Sequence, residues 1–276
     1  MRWKALLLDV DGTLVFRGKM IPGAGEALDG FRRRGLLLRF ATNIDSRPPE
    51  GVRAQLVALG LDVRSGEVIN PPLVALRLMQ ADPRVHWHCL VGPDLEDFLR
   101  PYASAGGQAD RVLVGYCPRA DYRALNEAFR QLVGGAELVA LQKGRYFYAP
   151  DGVNLDTGAL VAALEYAAGK QARVLGKPTR EFFTACLEDL GLAPDEVAVV
   201  GDDPATDVAG ARAVGAYAIL VRTGKSASAS IPARDMRTDE AARGLIPGGD
   251  GGPEAVCPDL VVESITDVLR LWVDGL

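Results

Sequence analysis

Two apolar runs in this chain end abruptly in clustered carboxylates, and that constrains its fold more than any other feature. Residues 4–9 read KALLLD and lead into Val10-Asp11-Gly12-Thr13, while residues 197–200 read VAVV and lead into Gly201-Asp202-Asp203-Pro204-Ala205-Thr206-Asp207. Short continuous apolar runs bounded by turn chemistry are the pattern of strands buried on both faces. Helical spacing lies between them: residues 24–34 put Ala27, Leu28 and Phe31 on one side. Residues 36–42 (LLLRFAT) then read as a second buried strand and residues 48–59, closed by Gly60, as a second helix. Such alternation predicts an α/β fold with a Rossmann-like parallel-sheet core, in which ligands bind outside the carboxyl ends of the strands.

The alternation continues from about Pro71 to Gly169, with strands at 88–91, 111–114, 138–141 and 146–148 and helices at 94–102, 120–133 and 157–168. It resumes as strand 173–175, helix 179–190, strand 197–200, helix 205–214 and strand 218–221, and closes with strand 260–262 and helix 265–272. Residues 226–258 are rich in Ser, Ala, Gly, Pro and charge and carry no sustained apolar period, which predicts a long loop. A length of 276 residues allows one large α/β domain or a core plus a smaller domain.

Composition excludes several function classes. With 48% hydrophobic and 24% charged residues the chain is an ordinary globular protein and not a disordered one. Its net charge of −5 disfavours nucleic-acid backbones, and Arg32-Arg33-Arg34 reads as the solvated end of a helix. The longest apolar runs are too short to span a bilayer, and no basic and apolar leader precedes the first strand, so a soluble, cytoplasmic protein without membrane or nucleic-acid partners is expected. Cys89, Cys117, Cys186 and Cys257 form no C-x-x-C pair, which fits free thiols in a reducing compartment. His86 and His88 flank Trp87 with the spacing of a metal pair on one strand face, but no third ligand accompanies them and they read as ordinary strand residues.

The chemistry concentrates at the strand ends. Asp9 and Asp11, two residues apart, repel each other and call for a divalent cation that prefers hard oxygen ligands, for which magnesium is the best fit and manganese the alternative. Taken alone, the D-G-T sequence also reads as a turn in which Asp11 caps a bend and Gly12 supplies a positive φ. The second acidic strand end, with Asp202, Asp203 and Asp207, favours a shared metal site. Thr42-Asn43 adds a hydroxyl and backbone N–H groups to another strand end, and Gly176-Lys177-Pro178 adds a lysine.

In this order, DVDGT, TN, GKP and GDDPATD resemble the four motifs of the haloacid dehalogenase-like hydrolase superfamily. The long α/β insertion between TN and GKP is similar to that of its class IIA subgroup. The segments KGRYFYAPDGVNLDTGALVAALEYA, VLGKPTREFF and GDDPATDVAGARAVGAYAILVRTGK resemble the phospholysine, phosphohistidine and inorganic-pyrophosphate phosphatases and their uncharacterised relatives. Residues 226–257 lie outside the resemblance, and Ile44-Asp45-Ser46 replaces the subgroup's asparagine-rich continuation after TN.

The resemblance implies a core domain of residues 1–75 and 172–276 and an inserted α/β cap of residues 76–171. It implies a phosphatase that hydrolyses a phosphate ester, phosphoramidate or pyrophosphate through an aspartyl-phosphate on Asp9, with Asp11 as acid and base. Magnesium would be held by Asp9, the Asp11 backbone carbonyl and Asp202, with Asp207 orienting bound waters and Asp203 assisting. Thr42, the Asn43 backbone and Lys177 would bind the phosphoryl oxygens. Arg145, late in the insertion, is the candidate cap contact to an anionic substrate, its alternative being a solvated strand residue. A homodimer through the cap is also implied. Three functions stand side by side: hydrolysis of small phosphorylated molecules under a cap, dephosphorylation of phosphoproteins, and a non-catalytic binding protein that keeps the fold, against which the intact Asp9 and Asp11 argue.

Overall fold

The computed structural model describes residues 3–103, 106–149, 152–224 and 257–271. The predicted loop over residues 226–256, Asp151 and Trp272 lie outside them. The chain divides into two compact units, the first made of residues 1–42, 56–67 and 177–276 and the second of residues 43–55 and 68–176.

In the first unit, five strands lie in the order Leu260–Val262, Tyr217–Val221, Val197–Gly201, Ala5–Leu8 and Leu37–Ala41. All neighbours are parallel. The central strand Ala5–Leu8 and its neighbour Val197–Gly201 are buried along their whole length, which is why their sequences are apolar without alternation. Registers of Leu8 with both Phe40 and Val200, and of Gly201 with Leu220, bring the strands to a common carboxyl edge. Helix Ala24–Arg33 buries Ala27, Leu28 and Phe31, the face its spacing predicted. The predicted helix 205–214 divides into a π-helical turn, Pro204–Val208, and an α-helix, Ala209–Val214; a π turn of this kind often marks a functional site.

One reading of the surface is corrected. Arg32 is not a solvated helix end: its guanidinium donates to Glu67 Oε1 at 2.7 Å and Oε2 at 2.6 Å, and both side chains are 11% exposed. Arg33 and Arg34 are exposed as expected.

The second unit has its own parallel sheet, in the order Arg173–Val174, Glu137–Ala140, Arg111–Val114 and Trp87–Leu90. Val112, Val114, Leu138 and Ala140 from this sheet pack with Ala128 and Leu132 of helix Tyr122–Val133 and Val161 and Leu164 of helix Thr157–Ala168. Strand Tyr146–Ala149 pairs antiparallel with Gly152–Leu155. Helix Pro71–Ala81, which sequence pattern left unassigned, starts at Asn70, whose side chain accepts from Leu73 N. The Asn70 amide also donates to the carbonyls of Ile44 and Arg47, both at 3.0 Å, tying the 44–47 segment into this unit.

The four cysteines are free thiols. Burial pushes the Cys89 thiol up to about 12, so it is unreactive at neutral pH. Among the described residues, no helix is long and apolar enough to cross a membrane.

Candidate active site at the carboxyl edge of the sheet

Four buried ionisable groups of the first unit converge where its parallel strands end. Asp9 follows strand Ala5–Leu8 and its backbone N–H donates to Val200 O at 2.9 Å, which pins it to the neighbouring strand. Asp202 follows strand Val197–Gly201, and Asp207 lies in the π turn that begins two residues later. Lys177 precedes helix Arg180–Leu190, which Thr179 caps by accepting from Phe182 N. Asp9, Lys177, Asp202 and Asp207 are 6%, 4%, 1% and 2% exposed.

Lys177 bridges two of the carboxylates. Its Nζ donates to Asp9 Oδ1 at 2.5 Å and to Asp207 Oδ1 at 2.7 Å. Burial alone would lower its pKa, but the Asp207 and Asp9 charges more than offset that and hold it above the ordinary lysine range, so Lys177 is an ammonium. The other Asp9 oxygen, Oδ2, accepts from the Thr13 hydroxyl at 3.2 Å. Asp9 is therefore held at both oxygens.

The charges do not balance. With all three carboxylates ionised, Asp9, Asp202 and Asp207 carry three negative charges against the one positive charge of Lys177, a net of −2 for the cluster. Oxygens of the three carboxylates lie within 4.8 Å of one another, and among the described residues this is the one group of histidine, cysteine, aspartate and glutamate side chains disposed to hold a metal ion. Burial pushes the Asp207 carboxyl up to about 7 against the pull of Lys177, the expected strain of an excess of buried negative charge. Hard oxygen donors and a net charge of −2 fit a divalent cation of the magnesium type.

The remaining residues singled out from sequence fall as follows. Asp11 sits one residue pair beyond Asp9 in a tight turn, exposed, with the Gly12 N–H bonded to Val15 O at 2.7 Å. Thr42 is 1% exposed at the end of strand Leu37–Ala41. Asp203 caps the π turn: its side chain accepts from Ala205 N at 2.9 Å, and its own N–H donates to Asp207 Oδ2 at 3.2 Å. Asn43 and Arg145 belong to the second unit, Arg145 with an exposed side chain. His86 lies just before strand Trp87–Leu90 and His88 within it, and neither joins a metal-holding group.

Sequence reasoning missed several contributors. Thr13 stands in the DVDGT motif, yet its hydroxyl contact to Asp9 has no signature beyond spacing. Gly12, Gly201 and Gly224 leave room for carboxylates: a Cβ at Gly12 or Gly224 would strike the Asp202 carboxylate, and one at Gly201 the Asp207 carboxylate. Asp45 is a further case. It is 4% exposed and accepts from Thr157 Oγ1 at 2.7 Å, Tyr116 N at 3.0 Å and Gln142 Nε2 at 3.5 Å, all within the second unit.

Burial pushes the Asp45 carboxyl up to about 6, with Asp156 adding to the shift and the hydrogen bonds opposing it. Because the folded value lies above the unfolded one, the native state binds more protons between pH 4 and 6, and stability from this site falls as pH rises through that window. Asp45→Asn removes the ionisation at the loss of one long hydrogen bond. The variant is expected to gain on wild type by up to about 3 kcal/mol on going from about pH 4 to about pH 8. Urea unfolding of the two proteins at both pH values measures it; a difference that does not change with pH would refute the assignment.

A parallel-sheet core with paired carboxylates, a buried lysine and a buried hydroxyl at its carboxyl edge defines a hydrolase of the haloacid dehalogenase-like class. The family model for haloacid dehalogenase-like hydrolases matches residues 6–103, and a HAD-hydrolase-like model matches residues 174–268. The chain is 38% identical over 224 residues to haloacid dehalogenase-like hydrolase domain-containing protein 2 of Homo sapiens, covering 80% of this chain and 85% of that protein. It is 37% identical over 231 residues to the phospholysine phosphohistidine inorganic pyrophosphate phosphatase of Xenopus laevis, covering 80% and 84%. In fold it matches the glycerol phosphate phosphatase of Mycobacterium tuberculosis, solved in complex with magnesium, with a TM-score of 0.80 at 24% identity over 98% of this chain and 78% of that one. The chain belongs to the haloacid dehalogenase-like hydrolase family.

Proposed function

We propose that the chain is a magnesium-dependent phosphatase working through an aspartyl-phosphate on Asp9. The observation that carries this reading is the Lys177 ammonium held between Asp9 and Asp207 in a buried cluster whose net charge of −2 suits a divalent cation. Relatives named as phosphatases support the same reading.

Each residue has a chemical task in this scheme. Asp9, with Lys177 and Thr13 each holding one carboxylate oxygen, is kept in a single rotamer facing the substrate and attacks phosphorus, forming an O–P bond as the bond to the leaving group breaks. Asp11, exposed beside it, gives its proton to the leaving oxygen or nitrogen. It then takes a proton from the water that attacks the aspartyl-phosphate, which returns the Asp9 carboxylate and releases phosphate. Thr42, the Asn43 backbone and Lys177 supply donors and positive charge to the phosphoryl oxygens, the groups on which charge must be stabilised in the transition state.

Asp9, the Asp11 carbonyl and Asp202 would hold magnesium, with Asp207 and, less directly, Asp203 orienting its waters. When bound, the cation neutralises phosphate charge. The inserted segment of residues 76–171 would serve as the cap of this enzyme, with Arg145 as its contact to an anionic substrate. It also forms the interface of a homodimer. The four free thiols suit a cytoplasmic setting.

Phosphate release from p-nitrophenyl phosphate, pyrophosphate, glycerol phosphate, sugar phosphates, phosphohistidine and phospholysine tests the proposal. Turnover is expected with magnesium and is expected to vanish in EDTA and return on adding the metal back. Turnover undiminished in EDTA would remove the metal from the reaction, and no turnover of any compound by folded protein would favour a binding protein.

A further inference from the structure

The loop after strand Tyr217–Val221 reaches the same edge of the sheet as the acidic strand ends, although its sequence, Arg222-Thr223-Gly224, carries no carboxylate, histidine or cysteine. The register of Gly201 with Leu220 brings its first residues alongside Asp202. Arg222 anchors its start, its N–H donating to Val262 O at 2.9 Å and its guanidinium pairing with Glu263 at 3.2 Å. The next two residues meet the DVDGT turn.

Thr223 Oγ1 donates to the Gly12 carbonyl at 2.5 Å, across 211 residues of chain. Gly12 has φ +94°, a conformation that only glycine holds without strain, and the Thr223 hydroxyl adds a contact from outside the turn to the backbone bonds within it, Gly12 N–H to Val15 O at 2.7 Å and Leu14 N–H to Val10 O at 2.9 Å. Gly224, at φ +57°, brings its backbone flat against both partners: a Cβ there would strike Asp202 Oδ2 and Gly12 Cα, and would lie 3.0 Å from Asp202 Cγ. Gly12, Asp202 and Gly224 thus form a three-way contact in which the Asp202 carboxylate is wedged between two glycine backbones.

We propose that Thr223 and Gly224 are positioning residues for the metal site, setting the Asp202 carboxylate and the Asp11-Gly12 backbone at the spacing a divalent cation requires. The inference rests on the metal reading of this site and adds to it the loop that follows strand Tyr217–Val221. A cation with strict octahedral demands tolerates little displacement of its ligands, so a carboxylate pushed by one methyl group, or a turn released from its hydrogen bond, weakens binding without removing a ligand.

The test uses the full chain as wild type, Gly224→Ala, Thr223→Val and Thr223→Ser, with magnesium or manganese as the probe and no substrate present. Binding is read by the metal-dependent rise in unfolding temperature and by titration of the manganese electron paramagnetic resonance signal. Gly224→Ala and Thr223→Val are expected to need about tenfold more metal for half-saturation, the scale of losses from residues that support metal ligands. Thr223→Ser, which keeps the hydroxyl, is expected to restore affinity to within about twofold of wild type. If Gly224→Ala does not fold, the contrast between Thr223→Val and Thr223→Ser still decides. Wild-type affinity in the alanine and valine variants overturns the positioning role while leaving the metal site intact. A wild-type protein that binds neither cation overturns both.

Discussion

Asp9→Asn is expected to lower magnesium-dependent phosphate release by about 10⁴-fold or more, the scale of losing a covalent nucleophile, while leaving the protein folded. The reason lies in how Asp9 is held. Lys177 Nζ donates to one oxygen and the Thr13 hydroxyl to the other. An asparagine can give its carbonyl oxygen to Lys177 and its amide to Thr13, whose hydroxyl can accept as well as donate. The substitution also takes one negative charge from a cluster with a net of −2, so the unfolding temperature without metal is expected to equal or exceed that of wild type. Phosphate release and thermal unfolding, measured on the same preparation, separate the two effects. Turnover within about tenfold of wild type would end the nucleophile assignment, because the group said to form the covalent intermediate would then be dispensable.

Lys177→Met should cost both activity and stability. Removing the ammonium leaves three buried carboxylates with no positive partner among the four groups, and breaking a buried ion pair from one side costs about 3–5 kcal/mol. Lys177 is held above the ordinary lysine range, so in wild type its contribution is complete throughout neutral pH and is lost only as pH rises into strong alkali. The variant's deficit has a different pH dependence. Burial already pushes Asp207 up to about 7, and loss of the neighbouring cation favours its protonation further. The deficit is therefore expected to be largest above pH 7 and to shrink as the medium is acidified, when a proton takes the place of the lost charge. Magnesium should recover part of the unfolding temperature. Turnover is expected to fall by about 10³-fold, as when a charged group is removed from phosphoryl-transfer chemistry. A variant as stable as wild type at all pH values would show that Lys177 does not compensate the cluster.

Much of this arrangement is legible along the chain because its signals are local. Strands Ala5–Leu8 and Val197–Gly201 are buried on both faces, so their sequences are apolar throughout, and the first polar residue after each marks the edge. Helices Ala24–Arg33 and Thr157–Ala168 announce themselves by the period of their buried residues or by an acceptor at the cap. Elements of two residues, such as the hairpin of Val15–Phe16 with Lys19–Met20, are too short to have a period. The helix Pro71–Ala81, unassigned from the sequence pattern, opens with two prolines after Asn70, whose side chain caps it.

The amino-acid sequence by itself determined the parallel α/β core, the acidic strand ends and the family, since each rests on residues close together or on motifs in a fixed order. Only the tertiary structure decided which charges meet. Lys177 and Asp9 are 168 residues apart, and a lysine before a helix is ordinarily solvated, yet here it is the counter-charge at the centre of the site. Asp45 meets the Thr157 hydroxyl 112 residues away and becomes a buried acid. Thr223 and Gly224 look like any turn after a strand until parallel pairing lays that strand beside Val197–Gly201. Hydrogen bonds and desolvation act over a few ångströms of space, whatever the separation along the chain, so these partners exist only once the sheet has brought its strand ends together.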